Sequence, residues 1–432
     1  MANTTTVILA AGNSTRFKSI TSKLIYPLCG LPIILHVFSI AKKISGKNII
    51  VVCNKDNVNE LRSILKNCKF VIQKKQKGTA DAIEQAKNKI KSKNVLILFG
   101  DTPLITVSSI NKLKKKYITS KVKASLIAFR SKNPFGYGRL IINKNSLQEI
   151  IEQINLNSYQ KKIDLCNSGI LIANKKILFD NLKKVREHKY KKERYLPDIF
   201  NIFYNKNIKT NFIECSEDEM LGINTLEDYN KVNNILQKKY INKFIKIGVN
   251  FIKPESCYLS YDTKIDPKVT IESNVTIKEK TIIKRGTIIR SNSYLEGATI
   301  TENCNIGPSA RIRPSSIIGQ NSKVGNFVEI KNSKIGKHVS IAHLSYIGDT
   351  IVGNRVNIGA GTITCNYDGK KKHQTVIKDN VFIGSNSSLI APLTIESKSK
   401  IGAGSVITKN IPKASLALER SDLKILRNKK IK

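Results

Sequence analysis

The sequence predicts an α/β chain in two parts: a doubly wound N-terminal domain, a connecting helix, and a C-terminal parallel β-helix of hexapeptide repeats. Three observations predict it. Aliphatic runs alternate with amphipathic stretches over residues 4–225. One helical period runs through residues 226–247. After about residue 262 the aliphatics return every six residues. The expected domains are therefore 1–225 and 248–432, with 226–247 as a helical linker.

In the first part, TTTVILA (4–10), NIIVVC (48–53), KFVIQ (69–73), NVLILF (94–99) and ASLIAF (124–129) are nearly continuous apolar runs. Strands of that kind are covered on both faces, as in a parallel sheet. Between them PIILHVFSIAKKI (32–44), VNELRSILKN (58–67) and TADAIEQAKNKI (79–90) read as helices. Ile33, Ile34, Val37, Phe38 and Ala41 form one apolar face at helical spacing.

The linker carries Leu226, Tyr229, Val232, Leu236, Tyr240 and Phe244 at steps of three and four. The hexads follow: Ile271, Ile277, Ile283, Ile289 and Leu295, then after a five-residue step Ile300 through Ile330, then Ile335 to Ile347, and finally Ile377 to Ile407. A period of six is too short for a helical repeat and fits one short strand and one corner per hexad. The aliphatics point inward, and the glycines that often follow them (Gly307, Gly319, Gly325, Gly336) relieve crowding at the corner.

The formal charge is +42, with 74 Lys and Arg against 32 Asp and Glu. Nucleic-acid binding would need a basic stripe interleaved with aromatics. The lysines are instead scattered, and aromatics make up only 6%. Such a surface still gathers anionic substrates. The eight cysteines contain no C-x-x-C pair and most stand in apolar runs, which predicts reduced thiols and no zinc site. The opening MANTTTVILAAG lacks a basic n-region, and no apolar run approaches the ~18 residues of a membrane span. These features predict a soluble, cytoplasmic protein without membrane insertion.

Two places in the first part carry chemistry. After the first strand, LAAGNSTRF (9–17) offers Gly12, the polar Asn13, Ser14 and Thr15, and the cation Arg16, a set able to wrap an anion. Lys23 follows in the same connection. FGDTP (99–103) places Asp101 at the carboxyl end of another strand, so both stretches can face one crevice. Asp101 is either a cap for the next turn or a metal-holding carboxylate opposite a phosphate loop.

The second part raises one question, set by SIAHLSYIGDT (340–350). A β-helix wall needs no imidazole, yet His343 stands there, with Tyr346 before the inward Ile347. Arg313, Glu329 and Lys331 lie on preceding coils, and an eighteen-residue coil would stack Arg313, Lys331 and residue 349 along one edge. In GAGTITCNYDGKKKHQTV (359–376), Thr364 and Lys370 stand where aliphatics belong, so a polar loop is expected to leave the coil there. An isolated histidine is most often solvent-facing filler. The break, the cations and the tyrosine favour a site.

LAAGNSTRF with Lys23, QKKQKGTADAI (73–83) and FGDTP resemble the sugar-1-phosphate nucleotidyltransferases. AHLSYIGD and GAGTITCNYDG resemble the acetyltransferase signature of a bifunctional member of that group. The whole chain is thus similar to the bacterial family that fuses an N-acetylglucosamine-1-phosphate uridylyltransferase to a glucosamine-1-phosphate N-acetyltransferase. That family makes UDP-N-acetylglucosamine for peptidoglycan and lipopolysaccharide. The resemblance implies a nucleotidyltransferase-type first domain and a left-handed β-helix, with UTP and acetyl-CoA as co-substrates and Mg²⁺ as cofactor.

The resemblance also implies residue roles. Leu9, Ala10, Ala11, Gly12, Gln73, Gly78 and Thr79 would hold uracil and ribose, and Phe99, near the sugar, and Gly100 would also bind the nucleotide sugar. Arg16 and Lys23 would steady the phosphates as catalytic cations, and Asp101 with Asn224 would carry Mg²⁺. Gly138, Glu152 and Asn167 would bind the sugar. In the second part His343 would be the general base, with Glu329 orienting its ring. Arg313, Lys331, Tyr346 and Asn357 would bind glucosamine phosphate. Ala360, Asn366, Tyr367, Ser385, Ala403 and Arg420 would line the acetyl-CoA site, Asn366 and Tyr367 reaching the sugar phosphate as well. The family's trimer is a further implication.

The chain departs from the family at Ser14 (usually Gly), Ser22 (usually Pro), Phe99 (usually Tyr) and Pro197 (usually Thr). None removes a phosphate or metal ligand. Rival readings are a pyrophosphorylase whose β-helix is only a scaffold and a non-catalytic regulator of the same two-part plan. His343 with its loop argues against the first. Arg16, Lys23 and Asp101 together argue against the second.

Overall fold

A computed structural model describes residues 4–143, 146–188, 192–419, 423 and 425. The chain divides into two compact units between Leu236 and Gln237, within the helix Leu226–Lys246.

In the first unit the five predicted runs are strands of one nine-stranded sheet, joined by two that were not predicted, in the order Thr210–Cys215, Ala124–Arg130, Leu165–Asn174, Asn94–Phe99, Thr4–Ala10, Ile49–Cys53, Lys69–Ile72. Successive residues feed opposite faces. Val7 and Leu9 join one core with Ile50, Val52 and Ile97, and Ile8 and Ala10 join the other with Val51, Leu96 and Leu98. The helices Ile33–Ser45, Val58–Ile64 and Val107–Thr119 cover one face. Thr79–Ala86, Lys175–Leu182 and Ile199–Asn205 cover the other. The predicted face of the first helix, Ile33 to Ala41, is buried at every named position. The sheet is not wholly parallel: Leu165–Asn174 runs antiparallel to both its neighbours. In the helix Leu226–Lys246, Leu226 is exposed, unlike the other apolar positions of its stripe, so the apolar face begins at Tyr229.

The second unit is a parallel β-helix with three walls of ten, nine and eight short strands. Every inward aliphatic named above, from Ile271 to Ile407, is 5% exposed or less. Each such side chain contributes about 1.5–3 kcal/mol by leaving water. The corners use two devices. The residue three beyond the inward aliphatic takes the left-handed conformation, as at Asn274 (φ 57°), Asn292 (φ 62°) and Asn321 (φ 59°), and asparagine tolerates it. The glycine directly after the aliphatic answers a close approach. A Cβ on Gly319 would collide with the carbonyl of Gly336, and one on Gly336 with that of Gly353.

Thr364 does not leave the coil as the sequence suggested. It is fully buried in the strand Ile363–Cys365, where its hydroxyl accepts from the Gly348 amide at 2.8 Å. A polar group in the core is tolerated once it is hydrogen-bonded. The loop leaves after Asn366 and returns by Gln374, closed by a bridge between Tyr367 and Lys372.

Two candidate active sites

The first unit holds a cavity of about 480 Å³ at the carboxyl ends of its strands. Leu9, Ala10, Ala11, Gly12, Arg16, Lys23, Gln73, Gly78, Thr79, Phe99, Asp101 and Asn224 all line it. Lys23 is buried, and its Nζ lies 2.7 Å from Asp101 Oδ2. Arg16 Nη2 donates to Asn224 Oδ1 at 3.2 Å. The Ile223 amide donates to the Asp101 carbonyl at 2.9 Å, which brings the distant GINTLED segment to the same floor. The two oxygen-bearing side chains predicted to hold a metal therefore face two cations at the end of one crevice.

Gln73 donates both to the Gly78 carbonyl (3.1 Å) and to Asp81 Oδ2 (2.8 Å). With both donations taken, its amide oxygen remains the acceptor at the cavity wall. Gly78 has φ 92°, and a Cβ there would collide with the Arg194 backbone. That close approach seats the segment 193–196, with the Leu196 amide donating to Thr79 Oγ1 at 2.9 Å.

Gly100, Gly138, Glu152 and Asn167 are not among the lining residues. Gly100 is held by its amide to the Leu9 carbonyl at 2.9 Å. The other three form a patch beside Phe99. Gly138 faces Glu152, its carbonyl accepts from the Asn167 amide at 2.9 Å, and Asn167 Oδ1 accepts from Gly169, which lies against the Phe99 ring. Tyr195, Glu193 and Gln76 line the cavity and were not anticipated. Burial pushes the Tyr195 hydroxyl up, and the neighbouring Glu193 carboxylate adds to the shift. No local motif marks these residues. Ser14 has φ 55°, the left-handed region that a glycine adopts without strain.

In the β-helix, His343 is exposed at the end of the strand Ser340–His343. Its Nδ1 lies 2.5 Å from Asn326 Oδ1, and Asn326 and His343 are register partners. Glu329 does not orient the ring. It accepts from Arg313 Nη1 at 2.8 Å and lies 3.6 Å from Arg311 Nη1. Its register partner is Tyr346, and both stand on the wall next to that of His343.

Three of the predicted acetyl-CoA residues, Ala360, Ser385 and Ala403, fall into one column above the histidine, and Asn366 and Tyr367 stand at the root of the loop. Backbone bonds run from Leu344 N to Asn326 O, Gly361 N to His343 O, Asn386 N to Ala360 O and Gly404 N to Ser385 O. The column is thus Asn326, His343, Ala360, Ser385 and Ala403, small above the ring. Asn357 lies on the same wall, paired with Ser340. Arg420 lies outside the described residues.

The next wall carries the cations. Arg313 and Lys331 lie one coil apart. Lys331 aligns with Gly348, not with residue 349, because the five-residue step from Ile330 to Ile335 shortens that coil. The Tyr346 ring covers Gly348, where a Cβ would come within 2.5 Å of its hydroxyl. Lys372 was not anticipated, being one of three consecutive lysines. Its contact with Lys331 holds that ammonium below the usual lysine range; Arg313 adds to the effect and Asp349 opposes it. Asp349 also accepts from Asn366 and so fastens the root of the loop. Within the loop Asp368 accepts from the Lys370 and Lys371 amides and lies 2.6 Å from His373 Nε2, contacts that hold its carboxyl well below the usual range.

Among the described residues no helix is long and apolar enough to cross a membrane. No group of three or more His, Cys, Asp or Glu gathers as a metal site among them.

Residues 6–164 match the MobA-like NTP transferase domain. Residues 294–389 match the GMPPB C-terminal domain, and 374–409 match the bacterial transferase hexapeptide family. The bifunctional protein GlmU of Bartonella bacilliformis is 39% identical over 435 residues, covering 100% of this chain and 97% of the relative. That of Bartonella quintana is 38% identical, covering 98% and 95%. That of Alkaliphilus metalliredigens is 35% identical, covering 96% and 95%. With a nucleotidyltransferase crevice in one half and a hexapeptide β-helix in the other, the chain belongs to the GlmU family of bifunctional enzymes, which pair a uridylyltransferase with an acetyltransferase to make UDP-N-acetylglucosamine.

Proposed function

We propose that the β-helix acetylates glucosamine-1-phosphate from acetyl-CoA around His343, and that the N-terminal cavity then joins the product to UTP. The observation that carries the reading is the position of His343. It lies at the foot of the small-residue column and three residues before Tyr346, on whose wall Arg313, Lys331 and Lys372 crowd together. Three cations against the two carboxylates Glu329 and Asp349 leave a positive excess that favours a bound anion, here the sugar phosphate.

In the acetyl step His343 Nε2 takes a proton from the 2-amino nitrogen as that nitrogen attacks the thioester carbonyl. A C–N bond forms, the C–S bond breaks, and the thiolate leaves and is protonated. The acetyl-CoA lies along Ala360, Ser385 and Ala403, and Arg420 is a further ligand for it. Asn366 and Tyr367 on the loop, and Asn357 on the wall, complete the sugar and acetyl contacts.

In the uridylyl step the sugar phosphate oxygen attacks the α-phosphorus of UTP in line and pyrophosphate departs. Gln73 accepts from the uracil, and Gly12 lets the backbone approach the nucleotide. Arg16 and Lys23 neutralise phosphate charge, and Gly138, Glu152 and Asn167 hold the sugar. Asp101 and Asn224 fit Mg²⁺: two hard oxygen donors suit an ion that keeps waters and substrate phosphates in its shell. Bound there, the ion would neutralise charge on the triphosphate. Lys23 and Arg16, which now contact those two side chains, supply the same kind of charge from the protein. The domains are 1–225 for the uridylyl step and 248–432 for the acetyl step, in a cytoplasmic homotrimer.

The test is thiol release from acetyl-CoA on adding glucosamine-1-phosphate, with a no-sugar control for the protein's eight cysteines. Release should vanish in His343→Ala while uridylyl transfer persists. A wild-type protein that joins UTP to N-acetylglucosamine-1-phosphate yet releases no thiol would overturn the reading.

A further inference from the structure

We infer that Asn326 is a positioning residue for the acetyl transfer: its amide oxygen holds His343 in the Nδ1–H tautomer, which leaves the Nε2 lone pair to take the proton. The inference rests on reading His343 as the base.

The geometry is direct. Asn326 Oδ1 stands 2.5 Å from His343 Nδ1, and the two residues are register partners on adjacent coils. An amide oxygen only accepts, so Nδ1 must carry the hydrogen, and a neutral ring then has its lone pair on Nε2. The contact is built into the backbone. Gly325 lies so close to the next coil that a Cβ would collide with the Ala342 carbonyl. The Leu344 amide donates to the Asn326 carbonyl at 3.0 Å. Those two contacts fix the spacing between the residues that carry amide and ring.

His343 is exposed and forms no ion pair among the described residues. Without a partner its ring would sample several rotamers and both tautomers. The carboxylate on the neighbouring wall, Glu329, is engaged by Arg311 and Arg313. A neutral amide also suits the chemistry. A carboxylate at Nδ1 would stabilise the imidazolium and retain the proton after transfer, whereas an amide orients the ring without adding charge.

The experiment uses the full chain with ¹⁵N-labelled histidine side chains, read by two-bond ¹H–¹⁵N spectra at a pH above the histidine range. The signal missing from His343→Ala assigns the residue. The wild type should show the Nδ1–H tautomer, and Asn326→Ala a mixture. Asn326→Ala should lower the acetyl-transfer kcat about tenfold or more, a share of what a general base contributes. KM for glucosamine-1-phosphate and the uridylyl rate should stay within about twofold, the experimental spread taken as no change. Asn326→Asp, which keeps an accepting oxygen but adds a charge, should restore the tautomer and only part of kcat. An Nε2–H tautomer in the wild type would overturn the inference, as would an unchanged kcat in Asn326→Ala or a loss confined to KM. Full acetyl transfer by His343→Ala would instead strike the parent reading, because the tautomer spectrum does not depend on activity.

Discussion

The two units treat their charges in opposite ways. In the N-terminal cavity, cation and acceptor already meet, Lys23 on Asp101 and Arg16 on Asn224, inside walls that strand ends and loops provide. On the β-helix, Lys331 and Lys372 are pressed against each other with Arg313 near. A doubly wound sheet makes a crevice from residues close in sequence to its strand ends, so a charged group there finds a partner locally. A β-helix makes columns from residues a whole coil apart. There Arg313 pairs with Glu329 one coil on, while Lys331 meets Lys372, and at that pair a ligand supplies the opposite charge.

That contrast can be broken in four ways, from the largest effect to the smallest. Asp101→Ala should cut uridylyl transfer about 10²–10³-fold, as loss of one electrostatic stabiliser does, and leave acetyl transfer unchanged. Loss of both activities in paired assays would end the picture of independent sites. Lys331→Ala should raise KM for glucosamine-1-phosphate about 10–100-fold, the equivalent of one hydrogen bond to a charged group, without lowering the melting temperature. A marked loss of stability would mean that the cations are structural.

Glycines separate the units next. Gly319→Ala should destabilise the β-helix by about 1–3 kcal/mol through overpacking, read as a lower denaturation midpoint. Gly12→Ala should leave stability alone, since no atom lies within 4 Å of its added Cβ, and should affect only nucleotide affinity. Equal destabilisation by both would erase the distinction.

The smallest effect is in pH. Burial holds His36 below its usual 6.5, against backbone hydrogen bonds to Leu28 and Leu31. The unfolded chain therefore takes up this proton first, and stability present above pH 6.5 is lost as pH falls below it. Asp198 in the same unit works the other way, since burial raises its carboxyl above 3.8 against the pull of His188, and it acts at lower pH. Asp368 and Asp379 of the β-helix are depressed below 3.8, so their contribution persists until pH falls through that range. Calorimetry between pH 7.5 and 5.5 should show the N-terminal transition moving down first. A β-helix transition that moves first would refute the assignment.

Much of this was legible because the constraints are local or strictly periodic. A buried aliphatic every six residues leaves little freedom, so the aliphatic inward positions from Ile271 to Ile407 could be read, and only the polar Thr364 broke the count. Arg16, Lys23 and Asp101 follow their strands directly, and the cavity gathers them. What escaped depends on register or on distant chain. Glu329 looked suited to His343, but the register pairs it with Tyr346 and gives Asn326 to the ring. Residue 349 was misaligned by one because a shortened coil resets the count. Lys372 hides in a run of three, and Tyr195 arrives on a segment that Gly78 admits only through its conformation. The antiparallel strand Leu165–Asn174 has no signature in its own composition.

The coil that carries the loop pairs Val352 with Ile377, and the coil after it returns at once to Ile377 against Ile395. The lengthening is absorbed within a single coil, as the one-residue shortenings are. The fold thus has no reading frame that an insertion could shift, because each coil aligns only with the inward aliphatics of the one below. A surface segment can be added where a corner is open, as after Asn366, while the chain on both sides keeps its shape, so one plain scaffold could acquire a reactive loop without being redesigned.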